Sequence, residues 1–140
     1  MAYIKAFSYF TPPFELTNEH LQEQLPDVEV SKIAKGVGVT VRHIADENTT
    51  AGDMAVEATK KMFDEYSISP SDVDFVIFAT QTQDHFLPPT ACLIQNKLGI
   101  PTTAGAFDFD LGCSGYVYGL AIAQSFVDSG LAKNVLLLTG

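Results

Sequence analysis

The sequence predicts an α/β fold, a sheet with parallel pairs and helices on its faces. Three observations carry that prediction. Strand-like and helix-like runs alternate along the chain, with no linker, repeat or biased segment between them. Two apolar runs, Asp74–Thr80 and Val135–Thr139, are nearly continuous, as strands covered on both faces are. The middle helices carry cap residues at their starts and Gly or Pro at their ends.

Taken in order, Tyr3–Phe10 is apolar and aromatic with a broken alternation and stops at Pro12 and Pro13, which predicts a first strand. Thr17–Leu25 reads as a short amphipathic helix ended by Pro26. Val30–Lys35 supplies a turn or two of helix closed by Gly36, and the Val-rich Val37–Ile44 reads as partly extended. Thr50 can cap a helix reaching Tyr66, with Asp53 as the returning acid of a capping box. Inside it Met54, Ala55, Ala58, Met62 and Phe63 recur at helical spacing, which marks a core face and not a set of cofactor contacts. Ser69-Pro70-Ser71-Asp72 predicts one helical turn, and Asp74–Thr80 a buried strand. Pro88–Leu98 predicts a helix ended at Gly99, and Ala106–Leu111 alternates apolar and acidic residues as a strand does. Ser114–Ser129 is a mostly apolar helix terminated by Gly130, and Val135–Thr139 is a last strand. The sequence stops one residue beyond it, so the expectation is one domain over residues 1–140 that is a piece of a longer protein.

Composition narrows the function classes. A chain of 140 residues with 46% hydrophobic and 18% charged residues is not intrinsically disordered. No apolar stretch approaches the ~18 residues a membrane span needs, and MAYIKAFSYFTPP lacks the charged, apolar and small-residue order of a signal peptide. Two Cys make no disulfide framework, so a reducing, cytoplasmic setting is expected. Eight Lys and Arg against 17 Asp and Glu leave a net charge of −9, which repels phosphate backbones, and Arg42 is the only arginine. Nucleic acid is therefore not an expected partner. Lys32, Lys35 and Arg42 lie close in sequence and read either as a solvated face or as a greeting for an anionic ligand.

The most informative stretch is FDFDLGCSGYVYGLAIAQ, residues 107–124. A strand runs into Gly112 and Cys113, and Ser114-Gly115 open a helix. At such a turn unpaired helix N–H groups and the positive end of the dipole face outward. Both favour negative charge, and the thiolate is the nucleophilic form of cysteine. Gly112 and Gly115 permit a sharp turn, and the Cys113 amide can face the oxyanion formed when its sulfur attacks an acyl carbonyl. The competing reading is a small buried hydrophobe, which suits Cys92 within ACLIQNKLG better. Asp108 and Asp110 alternate on one strand without His, so no metal site is expected. No phosphate-binding Gly loop, GxSxG elbow or HExxH occurs. Of the three histidines, His20 and His43 read as structural or solvent-exposed, while His85 sits in the loop TQTQDHFLPPTAC and is the one with a possible role beside Cys113.

These residues resemble a family. The segments VGVTVRHIADENTTAGDMAVEA, DFVIFATQTQDHFLPPTACLIQNKLGI and FDFDLGCSGYVYGL follow one another at the spacing of 3-oxoacyl-[acyl-carrier-protein] synthase III enzymes. These are condensing enzymes of the thiolase-like superfamily. The resemblance spans essentially the whole chain but only the N-terminal half of such a protein. It implies a thiolase-like half-domain, with a mixed five-stranded sheet layered between helices. The implied activity is acyl transfer from acyl-CoA to Cys113, then decarboxylative Claisen condensation with malonyl-[acyl-carrier-protein] in fatty acid or related biosynthesis. Phe86 and Leu87 match the segment that reaches across a homodimer to line the partner's acyl pocket, and the strand around Ala106–Asp110 is expected near the shared sheet. Acyl carrier protein is the implied partner, and acyl-CoA and malonyl-[acyl-carrier-protein] the implied substrates, with no bound cofactor. The family's His and Asn, which assist decarboxylation, match nothing within residues 1–140, so the 140-residue chain alone is expected to be inactive. Lys32 and Gly36 stand where the family has the aromatic residue and the arginine that sandwich the coenzyme A adenine, so no coenzyme A contact is assigned. Two alternatives stay open: a related acyltransferase or 3-hydroxy-3-methylglutaryl-CoA synthase-like enzyme, and a non-catalytic partner subunit of a condensing enzyme.

Overall fold

In the computed structural model, which describes residues 1–140, the chain divides into two units. One is Thr11–Thr49. Its strand β1 (Phe14–Thr17) pairs antiparallel with β2 (Val41–Ile44), with Phe14 opposite Ile44 and Thr17 opposite Val41. Thr17 ends the strand and caps α1 (Asn18–Gln24) by accepting the His20 amide. Gln22 then stitches α1 to α2 (Val30–Val37): its amide donates to the Leu25 and Val28 carbonyls and its oxygen accepts from Val30 N. Helix α2 runs past Gly36 and ends at Gly38, whose φ of 73° supplies the left-handed cap that Gly36 was expected to provide. Arg42 donates to Asn18 at 2.9 Å, and His43 Nδ1 donates to the Pro12 carbonyl at 2.8 Å.

The other unit joins Met1–Phe10 to Thr50–Gly140. Its centre is a parallel three-stranded sheet with β3 (Phe75–Ala79) between β4 (Gly105–Phe109) and β5 (Val135–Thr139). Phe75 lies opposite both Gly105 and Val135, and Ala79 opposite both Phe109 and Thr139. The side chains of Val76, Ile77 and Phe78 are fully enclosed. Each buried side chain of this kind stabilises the fold by about 1.5–3 kcal/mol relative to leaving it exposed. Alternation divides them between two faces. Val76, Phe78, Leu136 and Leu138 share a core with Ala55, Val56 and Phe63 of α3 (Ala51–Tyr66) and Ala91 and Ile94 of α4 (Thr90–Lys97). On the opposite face Phe75 and Phe107 meet Phe126 of α5 (Gly115–Asp128), with Phe75 edge-on to Phe126 at 4.8 Å between ring centres. The capping box of Thr50 and Asp53 forms as the sequence predicts, and Ser69 with Asp72 makes a second at the single turn Pro70–Asp72.

The α/β class stands, with five strands, but they are divided between a parallel triplet and an antiparallel pair and do not make one sheet. The difference lies at the start of the chain. Tyr3–Phe10 forms no strand, and β1 comes instead after the two prolines. A strand covered on one face hides one residue of every adjacent pair, yet Tyr3 with Ile4 and Tyr9 with Phe10 are exposed together. A cavity of about 530 Å³ is lined in part by Met1–Phe7 and by Val135–Leu137. No helix is long and apolar enough to cross a membrane.

Candidate active site

The three parallel strands finish side by side. Thr80 N donates to the Phe109 carbonyl and Gly140 N to the Ala79 carbonyl, so the ladder persists one step past each strand end. In open α/β sheets, the carboxyl edge of the strands is where ligands bind. Cys113 sits at this edge, in the turn between β4 and α5. Gly115 N donates to the Gly112 carbonyl at 2.7 Å and closes the turn, and Tyr118 N to the Ser114 carbonyl opens the helix. Ser114 already has helical backbone angles and gives no side-chain cap, so the start of α5 is uncapped by its own side chain. Cys113 itself is exposed. A Cβ at position 112 would stand 3.0 Å from Gln81 Oε1, so glycine there lets the turn sit tightly against the loop leaving β3. The turn leaves Cys113 on the surface at the carboxyl edge of the sheet, directly before the first turn of a helix.

That loop, residues 80–89, is tied down on either side of residues 85–88. At one end the Asp84 carboxylate accepts Thr50 Oγ1 at 3.0 Å and the Gly52 amide at 3.3 Å, both at the start of α3. The Asp84 amide in turn donates to Thr90 Oγ1 at 3.0 Å. At the other end Asp108 on β4 accepts the Thr90 and Ala91 amides at 2.5 and 2.6 Å. Pro89 at the cap position of α4 has no capping side chain, so Asp108 serves the helix from another element. Lys97 at the end of α4 donates to Asp53 at 2.6 Å; this bond, with the Thr50 amide, holds the Asp53 carboxyl below the usual carboxylate range.

The residues singled out in the sequence are distributed as follows. Phe86 and Leu87 project from the loop and are 102% and 83% exposed, which leaves two large apolar side chains side by side on the surface. His85 is exposed beside them. Cys92 is half-buried in α4, its sulfur 3.9 Å from the Ala106 carbonyl. His20 and His43 belong to the other unit, as do Lys32, Lys35 and Arg42; of these, Lys32 pairs with Glu29. Asp108 is spent on backbone amides, and Asp110 is exposed. Sequence reasoning missed Asp84 and the capping role of Asp108. Their partners lie 17 to 34 residues away, and no local pattern announces such bonds.

Comparison with known proteins agrees with the resemblance. A family model described as 3-oxoacyl-[acyl-carrier-protein (ACP)] synthase III matches residues 107–140, the segment carrying Cys113. The chain is 42% identical over 129 residues to a beta-ketoacyl-[acyl-carrier-protein] synthase III of Caldanaerobacter subterraneus subsp. tengcongensis, covering 92% of this chain and 38% of that protein. It is 41% identical over 138 residues to one of Clostridium perfringens strain SM101, covering 98% and 41%. Among solved structures, a 3-oxoacyl-(acyl-carrier-protein) synthase III matches with a TM-score of 0.89 at 46% identity, over 99% of this chain and 41% of that one. The Thermus thermophilus enzyme matches with a TM-score of 0.87 at 33% identity, over 96% and 41%. The fold is thiolase-like, and the chain spans about two-fifths of the length of the relatives it matches.

Proposed function

We propose that this chain, similar along nearly its whole length to about two-fifths of a 3-oxoacyl-[acyl-carrier-protein] synthase III, is the N-terminal, nucleophile-bearing part of such an acyltransferase. The observation that carries the reading is Cys113, exposed at the carboxyl edge of a parallel sheet and directly before an uncapped helix start. In the first half-reaction the Cys113 sulfur attacks the carbonyl carbon of an acyl-CoA thioester. The tetrahedral oxyanion faces backbone amides, of which the Cys113 N–H is the nearest in sequence. Collapse expels the coenzyme A thiolate and leaves an acyl-enzyme. In the second half-reaction malonyl-[acyl-carrier-protein] loses carbon dioxide, and the resulting carbanion attacks the acyl carbonyl. A carbon–carbon bond forms, and the electron pair of the breaking C–S bond returns to sulfur.

The His and Asn that would stabilise the enolate lie outside these 140 residues, so the 140-residue chain alone is inactive in condensation. Phe86 and Leu87 line the acyl pocket of the second subunit in a homodimer, a role that their outward projection supports. Acyl carrier proteins are acidic and this chain carries a charge of −9, so docking of the carrier relies on a local basic patch to which Lys32, Lys35 and Arg42 contribute. The enzyme works in the cytoplasm in fatty acid or related biosynthesis.

Intact-protein mass spectrometry of the full-length protein tests the reading. Incubation with a short acyl-CoA is expected to add one acyl mass, and Cys113→Ala is expected to abolish the adduct and lower turnover by on the order of 10⁵-fold. An adduct that persists in Cys113→Ala would overturn it.

A further inference from the structure

We propose that Asp84 and Asp108 are positioning residues that hold the Phe86–Leu87 arch in one place, and that acyl-chain selectivity depends on them. This rests on the reading that the arch lines an acyl pocket. The geometric case comes from the hydrogen bonds. Residues 85–88 take part in none, so the position of the arch is inherited from its two ends. Those ends are Asp84, bonded to Thr50, Gly52 and Thr90, and Thr90, bonded to Asp84 and Asp108. Thr90 is fully enclosed, and both its hydroxyl and its amide are used.

Each carboxylate reaches a helix start from a separate element, Asp84 from the loop to α3 and Asp108 from β4 to α4. Charge-assisted bonds of this kind are shorter and stronger than neutral ones. Pinning both ends of so short a segment removes most of the conformations it could otherwise sample. The base of the arch also abuts the reactive turn, because Gln81 packs on Gly112 and Thr80 N bonds the Phe109 carbonyl. The same bonds therefore set the arch and the approach to Cys113 in one frame. A pocket wall made of two exposed apolar side chains is selective only where its backbone is fixed.

The test uses the full-length protein with Asp84→Asn and Asp108→Asn. Acyl-CoA donors from acetyl to octanoyl serve as probes, and Phe86→Ala as the control for the pocket. The ratio of octanoyl to acetyl kcat/KM is expected to move by about tenfold in both Asn variants. The change is expected mainly in KM, with acetyl kcat lowered less than about threefold. Hydrogen exchange at residues 85–89 is expected to rise while β3 stays protected. A merely stabilising role would lower the unfolding midpoint and leave the ratio untouched, and that result overturns the proposal. A shifted ratio in Phe86→Ala with none in the Asn variants overturns the positioning role alone. An unshifted ratio in Phe86→Ala, or a wild-type protein that takes up no acyl group, overturns the pocket reading and the selectivity claim with it. Should an Asn variant fail to fold, Gly52→Ala tests the anchoring of the arch without altering charge, since a Cβ there would stand 2.6 Å from Asp84 Oδ2 and 2.8 Å from Thr90 Cγ2 and disturb both.

Discussion

Asp53 does two jobs. It closes the capping box of α3 through Thr50, and it pairs with Lys97 at the far end of α4. Because its carboxyl is held below the usual range, folding favours the ionised form, and the stabilisation is present above the unfolded-state value and lost as pH falls through the folded one. Asp53→Asn is thus expected to lower the urea midpoint at pH 7, and the gap to wild type is expected to narrow as pH falls below the ordinary aspartate value of about 3.9. The side chain is 39% exposed and screened by water, so the effect at neutral pH is below about 1 kcal/mol. A wild-type advantage that grew with acidity would contradict this account. At this scale the sequence was legible wherever a partner is close in the chain. Thr50 and Asp53 are three residues apart, and Gly112 and Gly115 lie within two residues of Cys113. Lys97 lies 44 residues from Asp53, and no pattern in either neighbourhood signals the contact.

Among the elements, those with their own start and stop chemistry were readable to within a residue or two. Helix α3 has its capping box, and Gly99 and Gly130 mark left-handed stops after α4 and α5. Tyr3–Phe10 was not readable in this way, because alternation predicts a strand only where a neighbouring edge accepts it. Strand β4 adds a packing test. A Cβ at Gly105 would come within 2.2 Å of the Phe75 ring, which is held between Phe107 and Phe126 and has little room to yield. Gly105→Ala is expected to cost about 1–3 kcal/mol in a urea unfolding series. A neutral result would mean that the aromatic cluster is looser than its edge-to-face geometry implies.

At the scale of the whole molecule, the parallel sheet, the helices on its two faces and the location of the sulfur followed from the sequence. The division into two units did not, because no linker composition marks Thr11 or Thr49. The 140-residue chain, shown to be folded by circular dichroism, is expected to release no carbon dioxide from malonyl-[acyl-carrier-protein] under conditions where the full-length protein does. Turnover by the short chain would place the decarboxylating groups within residues 1–140. The side-by-side strand ends have a practical corollary for handling the protein. Gly140 lies along the same rim as the exposed Cys113, so a purification tag fused there to the 140-residue chain would crowd that sulfur. A tag ahead of Met1 instead meets the exposed pairing of the amino terminus with Asp128, and that is the end to extend.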